Sequence, residues 1–459
     1  MKTKEKSYPA EGIDSYLYFC DERFANKITY VLEFGGRLDA AALREATRAS
    51  MQTLPIMGCR FDASGWKPVW RELPNAADLV FRAVETDDRK AAIDRIVAEE
   101  IGGGTGVQLR VTLIQNADGD LICISASHIV CDGRAMFHYC RVLNALYDAY
   151  AAGETPEPPP FVSRGYDAVF ESLTPAQAQA IRSFRFDEKA LLEADDTSPF
   201  PHDPTGEVHR LVEHIPDCEV PRIKAALKQQ GYTVNDLVVA SVGRAWFALF
   251  GGTAFTIPNT MDLRRFFPAE KPFGIANYVG KTYVHLKKAD CDTIENATAC
   301  VHAQMEENKK GLLVLKQAAG WRLAERLFPC FILRRIVRRK LKNFNNIYFS
   351  NPGKQEEFKM GFGGVPVLYS RMFTPPMQPP CTTVGASGLL GRIGFGTAVF
   401  GGAAEKEKGL QLLREMAAQF VSFGARESDP DAGATGEAIS AQTQALIDHM
   451  KGLVLFSDA

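Results

Sequence analysis

The sequence predicts an α/β or α+β protein of two domains, and three observations lead to this expectation. The chain has 459 residues, whereas a single domain usually has about 150. Segments with strand-like and helix-like patterns alternate in both halves. A proline-rich stretch at 153–161, GETPEPPPF, separates the halves, because three consecutive prolines continue neither a helix nor a central strand. We therefore expect an N-terminal domain at 1–180 and a C-terminal domain at 181–459.

The composition excludes several classes of protein. Hydrophobic residues make up 46% and charged residues 24%, which is ordinary for a globular protein and excludes a disordered, collagen-like or disulfide-scaffold chain. The formal net charge of −2 gives no reason to expect a nucleic-acid partner. The ten cysteines lack CxxC spacing, so no metal is implied. The N-terminus has no apolar signal-peptide core, and the apolar stretch 237–258 is interrupted by Arg244, so we expect a cytoplasmic location.

The first half is predicted to alternate strands with helices. A helix over 38–54 has Asp39 as its N-cap, and a helix over 88–101 stops at a run of three glycines. The segments VQLRVTLI and LICISASH flank a polar NADGD turn, which is typical of a β-hairpin. The other elements expected here are a strand over 28–34, short strands in WKPVWREL and DLVFRAVE, and a helix over 136–153.

The second half repeats this theme. Helices are expected over VPRIKAALKQQG, VNDLVVASVGRAWFALF, 405–423 and, at the end, ISAQTQALIDHMKGLVLF. Strands are expected over 208–215, AFTIPNTM, YVGKTYVHL, NIYFSN, VPVLYSRM, TTVGASGLL and GRIGFGTAV.

One segment carries the pattern of a catalytic loop. His128 follows the apolar strand LICISAS, and Asp132 and Gly133 follow it just before the helix 136–153. An imidazole placed where a buried strand ends lies at the rim of a sheet, where a cleft can form. The alternative is a buried structural histidine followed by an ordinary Asp-Gly turn.

HIVCDG also resembles the HxxxDG motif of the CoA-dependent acyltransferase superfamily, which includes chloramphenicol acetyltransferase, nonribosomal peptide condensation domains, polyketide-associated acyltransferases, wax ester synthases and alcohol acetyltransferases. Other segments resemble those of the superfamily in the same order, over roughly 8–425. They are TLPIMGCRF, TVNDLVVASVGRA, PNTMDLRRFFP, GIANYVG and YFSNPG.

The resemblance implies two chloramphenicol acetyltransferase-like domains, each with a mixed sheet, and a tunnel between them that is entered from opposite faces. It also implies an O-acyltransferase without a permanently bound cofactor. The co-substrate would be an acyl-CoA or an acyl-carrier protein, the acceptor an alcohol, and His128 the general base for direct attack on the thioester. Condensation domains carry a second histidine where this chain has Ser127, which favours a free-standing acyltransferase over amide formation with an amine acceptor. A non-catalytic homologue acting as a binding or scaffold protein stays a third possibility.

The resemblance assigns a structural role to Asp132, because the motif aspartate points away from the histidine and pairs with an arginine. Arg264 of the DLR segment holds the matching position, and Arg265 is the alternative. A triad-like Asp132 that orients the imidazole is the competing hypothesis. A nucleophilic role for Cys131 is a weaker one, because the sulfur of a tight loop is poorly placed to meet the ring.

Two further features bear on binding. Ser350 and Asn351 are candidate donors to the oxyanion, although Asn-Pro-Gly is also a turn signal. The segment 331–344 predicts a basic amphipathic helix with Arg334, Arg335, Arg338 and Arg339 on its polar face. Its face is expected to dock the phosphates of CoA, an acidic carrier protein or an anionic membrane, or else to be merely solvated. The histidines at 202, 209 and 214 show no metal-ligand spacing.

Overall fold

The computed structural model describes residues 6–21, 27–104, 106–187, 199–200, 206–341, 347–353, 361–373, 376–377, 379, 381–389 and 392–425. The strands within these ranges are Ser7–Pro9 (β1), Lys27–Phe34 (β2), Cys59–Asp62 (β3), Val69–Glu72 (β4), Phe81–Glu85 (β5), Leu109–Gln115 (β6), Leu121–Ser127 (β7), Glu207–His214 (β8), Ala254–Asp262 (β9), Val279–Lys287 (β10), Ile347–Ser350 (β11), Gly361–Phe362 (β12), Val365–Phe373 (β13), Thr382–Leu389 (β14) and Arg392–Gly401 (β15).

Helices cover the sheets and connect their strands. They are Asp14–Cys20 (α1), Ala40–Ser50 (α2), Ala76–Leu79 (α3), Arg89–Ala98 (α4), Gly133–Ala151 (α5), Asp167–Glu171 (α6), Pro175–Ser183 (α7), Glu219–Gln230 (α8), Val234–Phe250 (α9), Ile294–Asn308 (α10), Leu312–Leu327 (α11), Cys330–Leu341 (α12) and Ala403–Ser422 (α13).

The first large sheet has the strand order β12-β13-β2-β7-β6-β5. Its strands are antiparallel except β5 and β6, which pair in parallel through the crossover helix α4. The predicted hairpin is present as β6 and β7, which pair from Leu109↔Ala126 to Ile114↔Leu121. Strand β13 comes from the second half of the chain and pairs antiparallel with β2, so one sheet draws on both halves.

The second large sheet has the order β10-β9-β11-β14-β15-β8 and is formed by the second half alone. Strand β11 runs parallel to β9 and β14, and the other pairs are antiparallel. The predicted α/β fold with two mixed sheets is therefore confirmed. The boundary near residue 180 stays a prediction, and pairing of β13 with β2 crosses it.

The local patterns correspond to recognisable stop and start signals in the structure. Asp39 caps α2, and its Oδ1 accepts hydrogen bonds from the backbone amides of Ala41 and Ala42 at 2.8 and 3.0 Å. The helix over VNDLVVASVGRAWFALF begins with a capping box between Thr233 and Asp236. The expected last helix, at 439–456, lies outside the described residues.

Each large sheet has its own hydrophobic core. In the first, β2, β6 and β7 pack on α2 and α5, and every residue of β7 is buried. In the second, β9, β11, β14 and β15 pack on α9, α10 and α13. The opposite faces of the two sheets leave a cavity between them, and the catalytic-loop candidate lies at its wall.

Candidate active site

The loop 128–132 is short and fixed at both ends. It leaves the buried strand β7 at Ser127 and enters α5 at Gly133. Asp132 is the N-cap of α5, and its Oδ1 accepts a 2.8 Å hydrogen bond from the amide of Ala135. The aspartate therefore serves the helix terminus, which is a preferred site for a carboxylate.

The remaining acceptor positions of Asp132 are also occupied. Arg264 donates to it through both terminal nitrogens, at 3.0 and 3.1 Å, in a bidentate pair. The backbone amide of Tyr278 donates to Oδ2 at 2.8 Å. Both side chains of the pair are buried, with 2% of Asp132 and 8% of Arg264 exposed. The four hydrogen bonds leave the carboxylate without a direct bond to the imidazole of His128.

Arg264 is itself held by several groups of the second half. It donates to Asp262 Oδ1 at 3.0 Å and to the carbonyl of Ala276 at 3.0 Å. Its guanidinium lies over the ring of Tyr278, 4.8 Å from the centroid. The alternative arginine, Arg265, instead lies over the ring of Phe266 at 5.8 Å.

The His128 ring is oriented by the loop and by Asn277. Nδ1 lies 3.0 Å from the carbonyl oxygen of Cys131 and 3.0 Å from Nδ2 of Asn277. A carbonyl oxygen only accepts, and the Asn277 amide already donates to the carbonyl of His128 at 2.9 Å. We therefore assign the proton to Nδ1, which leaves the lone pair on Nε2 for the cavity.

Burial sets the protonation state of His128. It lowers the pKa of the ring below its usual 6.5, and the negative charge of Asp132 opposes this effect only in part. The imidazole is therefore mostly neutral near pH 7. A neutral ring with an accessible Nε2 can accept a proton from a substrate hydroxyl or amine.

Cys131 does not have the environment of a nucleophile. Its side chain is fully buried in the core of the first sheet, and burial raises the pKa of its thiol. A reactive cysteine needs thiolate character and access. Within this loop, Cys131 contributes its backbone carbonyl to the histidine.

Gly133 lets another segment approach the loop. A Cβ atom at this position would lie 2.7 Å from Cβ of Pro352 and 3.3 Å from Sδ of Met372. Pro352 directly follows Ser350 and Asn351, so the glycine allows the end of β11 to reach the histidine loop. The absence of a side chain is thus a packing requirement here.

The structure separates the roles of Ser350 and Asn351. Asn351 donates from Nδ2 to Asn235 Oδ1 at 3.0 Å, and its Oδ1 accepts from the amide of Gly353 at 2.9 Å. Its amide therefore stabilises the turn after β11. The side chain of Ser350 is half-buried on the cavity wall, on the same lining surface as His128.

A cavity of about 620 Å³ connects these groups. It is lined by the catalytic-loop candidate, the end of β11, the glycine-rich strands β14 and β15, and helices α1, α11 and α12. The lining residues of the central part are His128, Asp132, Gly133, Arg134, Arg264, Asn277, Ser350 and Asn351. This volume is in the range of small-molecule sites.

Sequence reasoning missed a second arginine that holds the loop. Arg164, from the segment after the proline-rich stretch, donates to the carbonyl of Val130 at 2.9 Å and forms a bidentate pair with Asp14 at 2.6 and 2.9 Å. Asp14 also accepts from the indole of Trp70 at 2.9 Å. An isolated arginine in a loop carries no local signal of burial, whereas Asn277 belongs to the GIANYVG segment and could have been singled out there.

The basic helix is α12, at the edge of the cavity. Leu333, Val337 and Leu341 are buried against α1, whereas Phe331 and Ile336 are 72% and 44% exposed. The arginines at 334, 335, 338 and 339 are all exposed. Residues 342–344 of the predicted helix lie outside the described part. The apolar stripe is therefore narrower than the sequence pattern indicated.

Neither a metal cluster nor a membrane span is found among the described residues. No group of three or more His, Cys, Asp or Glu side chains in these ranges is arranged to hold a metal ion. Among the described helices, none is long and apolar enough to span a membrane. His209 is bonded to the carbonyl of Gly401 at 3.1 Å, and His202 lies outside the described residues.

Comparison with solved structures establishes the fold. The condensation domain of the monacolin K polyketide synthase MokA superposes with a TM-score of 0.69 at 12% identity, over 92% of this chain and 98% of that one. The trichothecene 15-O-acetyltransferase TRI3 of Fusarium sporotrichioides gives 0.67 at 13%, over 91% and 96%. Polyketide synthase associated protein 5 of Mycobacterium tuberculosis gives 0.63 at 15%, over 91% and 100%. The chain thus has the fold of condensation domains and related acyltransferases, as predicted.

Sequence comparison is more limited. No protein-family model matches the chain. A stretch of 171 residues, 34% of the chain, is 25% identical to part of a linear gramicidin synthase of Brevibacillus parabrevis. The match spans 2% of that protein's length.

The buried pair of Asp132 and Arg264 leads to a stability prediction. Asp132→Ala or Arg264→Ala should each lower the free energy of unfolding by about 3–5 kcal/mol, because the remaining charge is left buried without its partner. The double variant should lose far less than the sum of the two. Denaturant unfolding of the four proteins measures this coupling.

The control is Asp262→Ala, since Asp262 bonds to the same arginine but its side chain is 43% exposed. Its loss should cost only about 1 kcal/mol for the exposed ion pair. Additive effects of Asp132→Ala and Arg264→Ala would contradict the pairing.

Proposed function

We propose that this chain is an acyltransferase that moves an acyl group from a thioester of CoA or of a carrier protein to an alcohol. The observation that carries the proposal is the orientation of His128, whose Nδ1 is held by the carbonyl of Cys131 while the ring faces a substrate-sized cavity. The fold, common to condensation domains and acetyltransferases, supports the same reaction class.

The proposed step needs no acyl-enzyme. Nε2 of His128 takes the proton of the acceptor hydroxyl as its oxygen attacks the thioester carbonyl carbon. The C–O bond forms, and the carbonyl becomes an oxyanion to which the hydroxyl of Ser350 donates. When the oxyanion collapses, the C–S bond breaks. The leaving thiolate then takes the proton back from the imidazolium.

The choice of an alcohol over an amine depends on Ser127. Condensation domains carry a histidine at this position, whereas Ser127 is 1% exposed and its amide donates to the carbonyl of Gln108 at 2.7 Å. The position is therefore filled by a small structural residue. Paired assays with an alcohol and an amine of equal chain length distinguish the two acceptors, and thioester hydrolysis alone would indicate neither.

His128→Ala is expected to lower kcat/KM at least a hundredfold, because the general base is removed. Release of free thiol from an acyl-CoA, measured with a chromogenic thiol reagent in the presence of an alcohol, gives the rate. The matched control is His138→Ala on α5, a histidine of the same half that does not line the cavity. Retained activity in His128→Ala with an unchanged melting temperature would rule out the proposed role.

The pH dependence follows from the lowered pKa of His128. A base must be unprotonated, so activity should fall as the pH decreases through the pKa of the ring. Because burial lowers that pKa, the acid limb of kcat/KM should lie below pH 6.5. A limb centred above 6.5, or one that persists in the residual activity of His128→Ala, would contradict the assignment.

We also propose that the exposed basic face of α12 docks the anionic carrier of the thioester. This helix lines the cavity with Ile336, Val337, Lys340 and Leu341, so its arginines stand beside an entrance. The phosphates of CoA and the surface of an acidic carrier protein have the complementary charge. Neither partner is required to enter beyond its pantetheine arm.

Arg338→Glu combined with Arg339→Glu should raise KM for the donor at least fivefold at low salt, with a smaller effect at high salt because exposed charges are screened. The control reverses Lys224 and Lys228, which are exposed on α8 away from the cavity. An unchanged KM would indicate a solvated face only. If reversal abolished binding to anionic phospholipid vesicles without changing KM, a membrane would be the partner and the proposal would be wrong.

A further inference from the structure

The wall of the cavity has an excess of positive charge. Its two carboxylates, Asp132 and Asp262, are both bonded to Arg264. The other charged side chains that line the cavity, among the described residues, are all basic: Arg134, Arg210, Lys281, Lys340 and Arg371. An apolar acyl chain and a neutral alcohol give no reason for this excess.

Two of these arginines meet where the two sheets approach each other. Arg210 lies on the edge strand β8 and Arg371 on β13, and His214 lies beside them on β8. Residues 210, 212 and 214 alternate along β8 and therefore share the face that lines the cavity. Residues 369, 371 and 373 do the same on β13. The side chains of two strands thus converge on one end of the cavity.

The environment of this pair is unusual for arginine. The Nε atom of Arg210 is buried and has no hydrogen-bond partner. Burial lowers the pKa of both guanidinium groups, and each is acted on by Asp94, which is ion-paired with Lys90 at 3.2 Å. Asp94 forms no ion pair with Arg210 in the described structure. Buried cations near one another are costly unless an anion joins them.

A path without side chains leads from the catalytic centre to these arginines. In the second sheet, Ser350 is in register with Gly385, Gly385 with Gly396, and Gly396 with Val212. Both glycines line the cavity. Three strand spacings separate Ser350 from β8, or about 14 Å. Glycine in a strand is typical of a site where a ligand approaches the backbone.

The neighbouring Gly394 preserves the same space. A Cβ atom there would lie 3.1 Å from Nδ1 of His214. A side chain would therefore push the histidine and narrow the cavity at its arginine end. The open floor and the cationic end belong to one continuous surface.

We propose that Arg210 and Arg371 bind a carboxylate or phosphate group of the acceptor, about 14 Å from its reacting hydroxyl. The acceptor would be an amphipathic hydroxy acid or alcohol phosphate, whose anionic end is held by guanidinium groups while its chain lies over Gly385 and Gly396. Guanidinium groups bind carboxylate and phosphate in planar, bidentate geometry.

The assignment to the acceptor rests on the proposed function. Helix α11 packs on β10, at one edge of the second sheet, and α12 follows it, whereas β8 is the opposite edge. If the thioester donor enters beside α12, the arginine end is left for the acceptor. The existence of the anion site itself does not depend on that assignment.

Direct binding tests the site without turnover. Calorimetric titration would compare hydroxydodecanoate, hydroxydodecyl phosphate and the uncharged dodecanediol. The wild-type protein should bind at least one anionic probe at least tenfold more tightly than the diol, and the preferred probe identifies carboxylate or phosphate as the natural group. Arg210→Gln and Arg371→Gln should each abolish the preference and leave binding of the diol unchanged.

The control is Arg392→Gln, an arginine of the same sheet that is half-exposed, paired with Asp217 and absent from the cavity lining. It should retain the preference. Equal binding of diol and anions by the wild-type protein, or a preference that survives both glutamine variants, would overturn the site.

Titration with CoA and with pantetheine tests the assignment to the acceptor. If Arg210→Gln weakens CoA tenfold while leaving pantetheine and the hydroxy acid unchanged, the anion belongs to the donor and the acceptor assignment is wrong. If the preference for anions is present but thiol release is absent with every acceptor, the anion site stands and the proposed acyl transfer fails.

Discussion

The bidentate ion pair between Asp132 and Arg264 is the contact on which the rest of the site depends. Asp132 belongs to the loop after β7, and Arg264 to the turn after β9, so the pair joins the two sheets at the wall of the cavity. All four hydrogen bonds to the carboxylate come from α5, Arg264 and the amide of Tyr278. A carboxylate bound in this way has a single position, and the histidine four residues earlier is positioned with it.

A second buried pair supports the same loop from another direction. Arg164 and Asp14 are 2% and 4% exposed, and Arg164 reaches the carbonyls of Ile129 and Val130. The loop is thus held by a cation on either side, one binding its side chain and the other its backbone. The segment after the prolines is therefore part of the catalytic framework, and its contacts explain why a linker-like sequence is buried at Arg164.

The sequence predicted those parts of the molecule whose signal is local. The hairpin β6–β7 follows from two apolar runs about a polar turn, and His128, Asp132 and Gly133 are contiguous in one recognisable motif. Groups that act from a distance were harder to find. Arg164, Arg210 and Arg371 lie in ordinary loops and strands, and only the packing of the two sheets places them on the loop or the cavity. The pairing of β13 with β2 was not predicted either, because the residues of a strand do not specify which sheet it joins.

The crossing of β13 into the first sheet has a consequence for the nascent chain. Strand β2 is made early, but its second neighbour, Val365–Phe373, leaves the ribosome several hundred residues later. At typical rates of synthesis, one long edge of β2 remains uncovered for roughly tens of seconds. Its apolar residues and unpaired backbone groups then form an adhesive surface of the type that leads to aggregation. Protection of this edge by chaperones, more than the strength of any finished contact, would govern the yield of native protein in the cell.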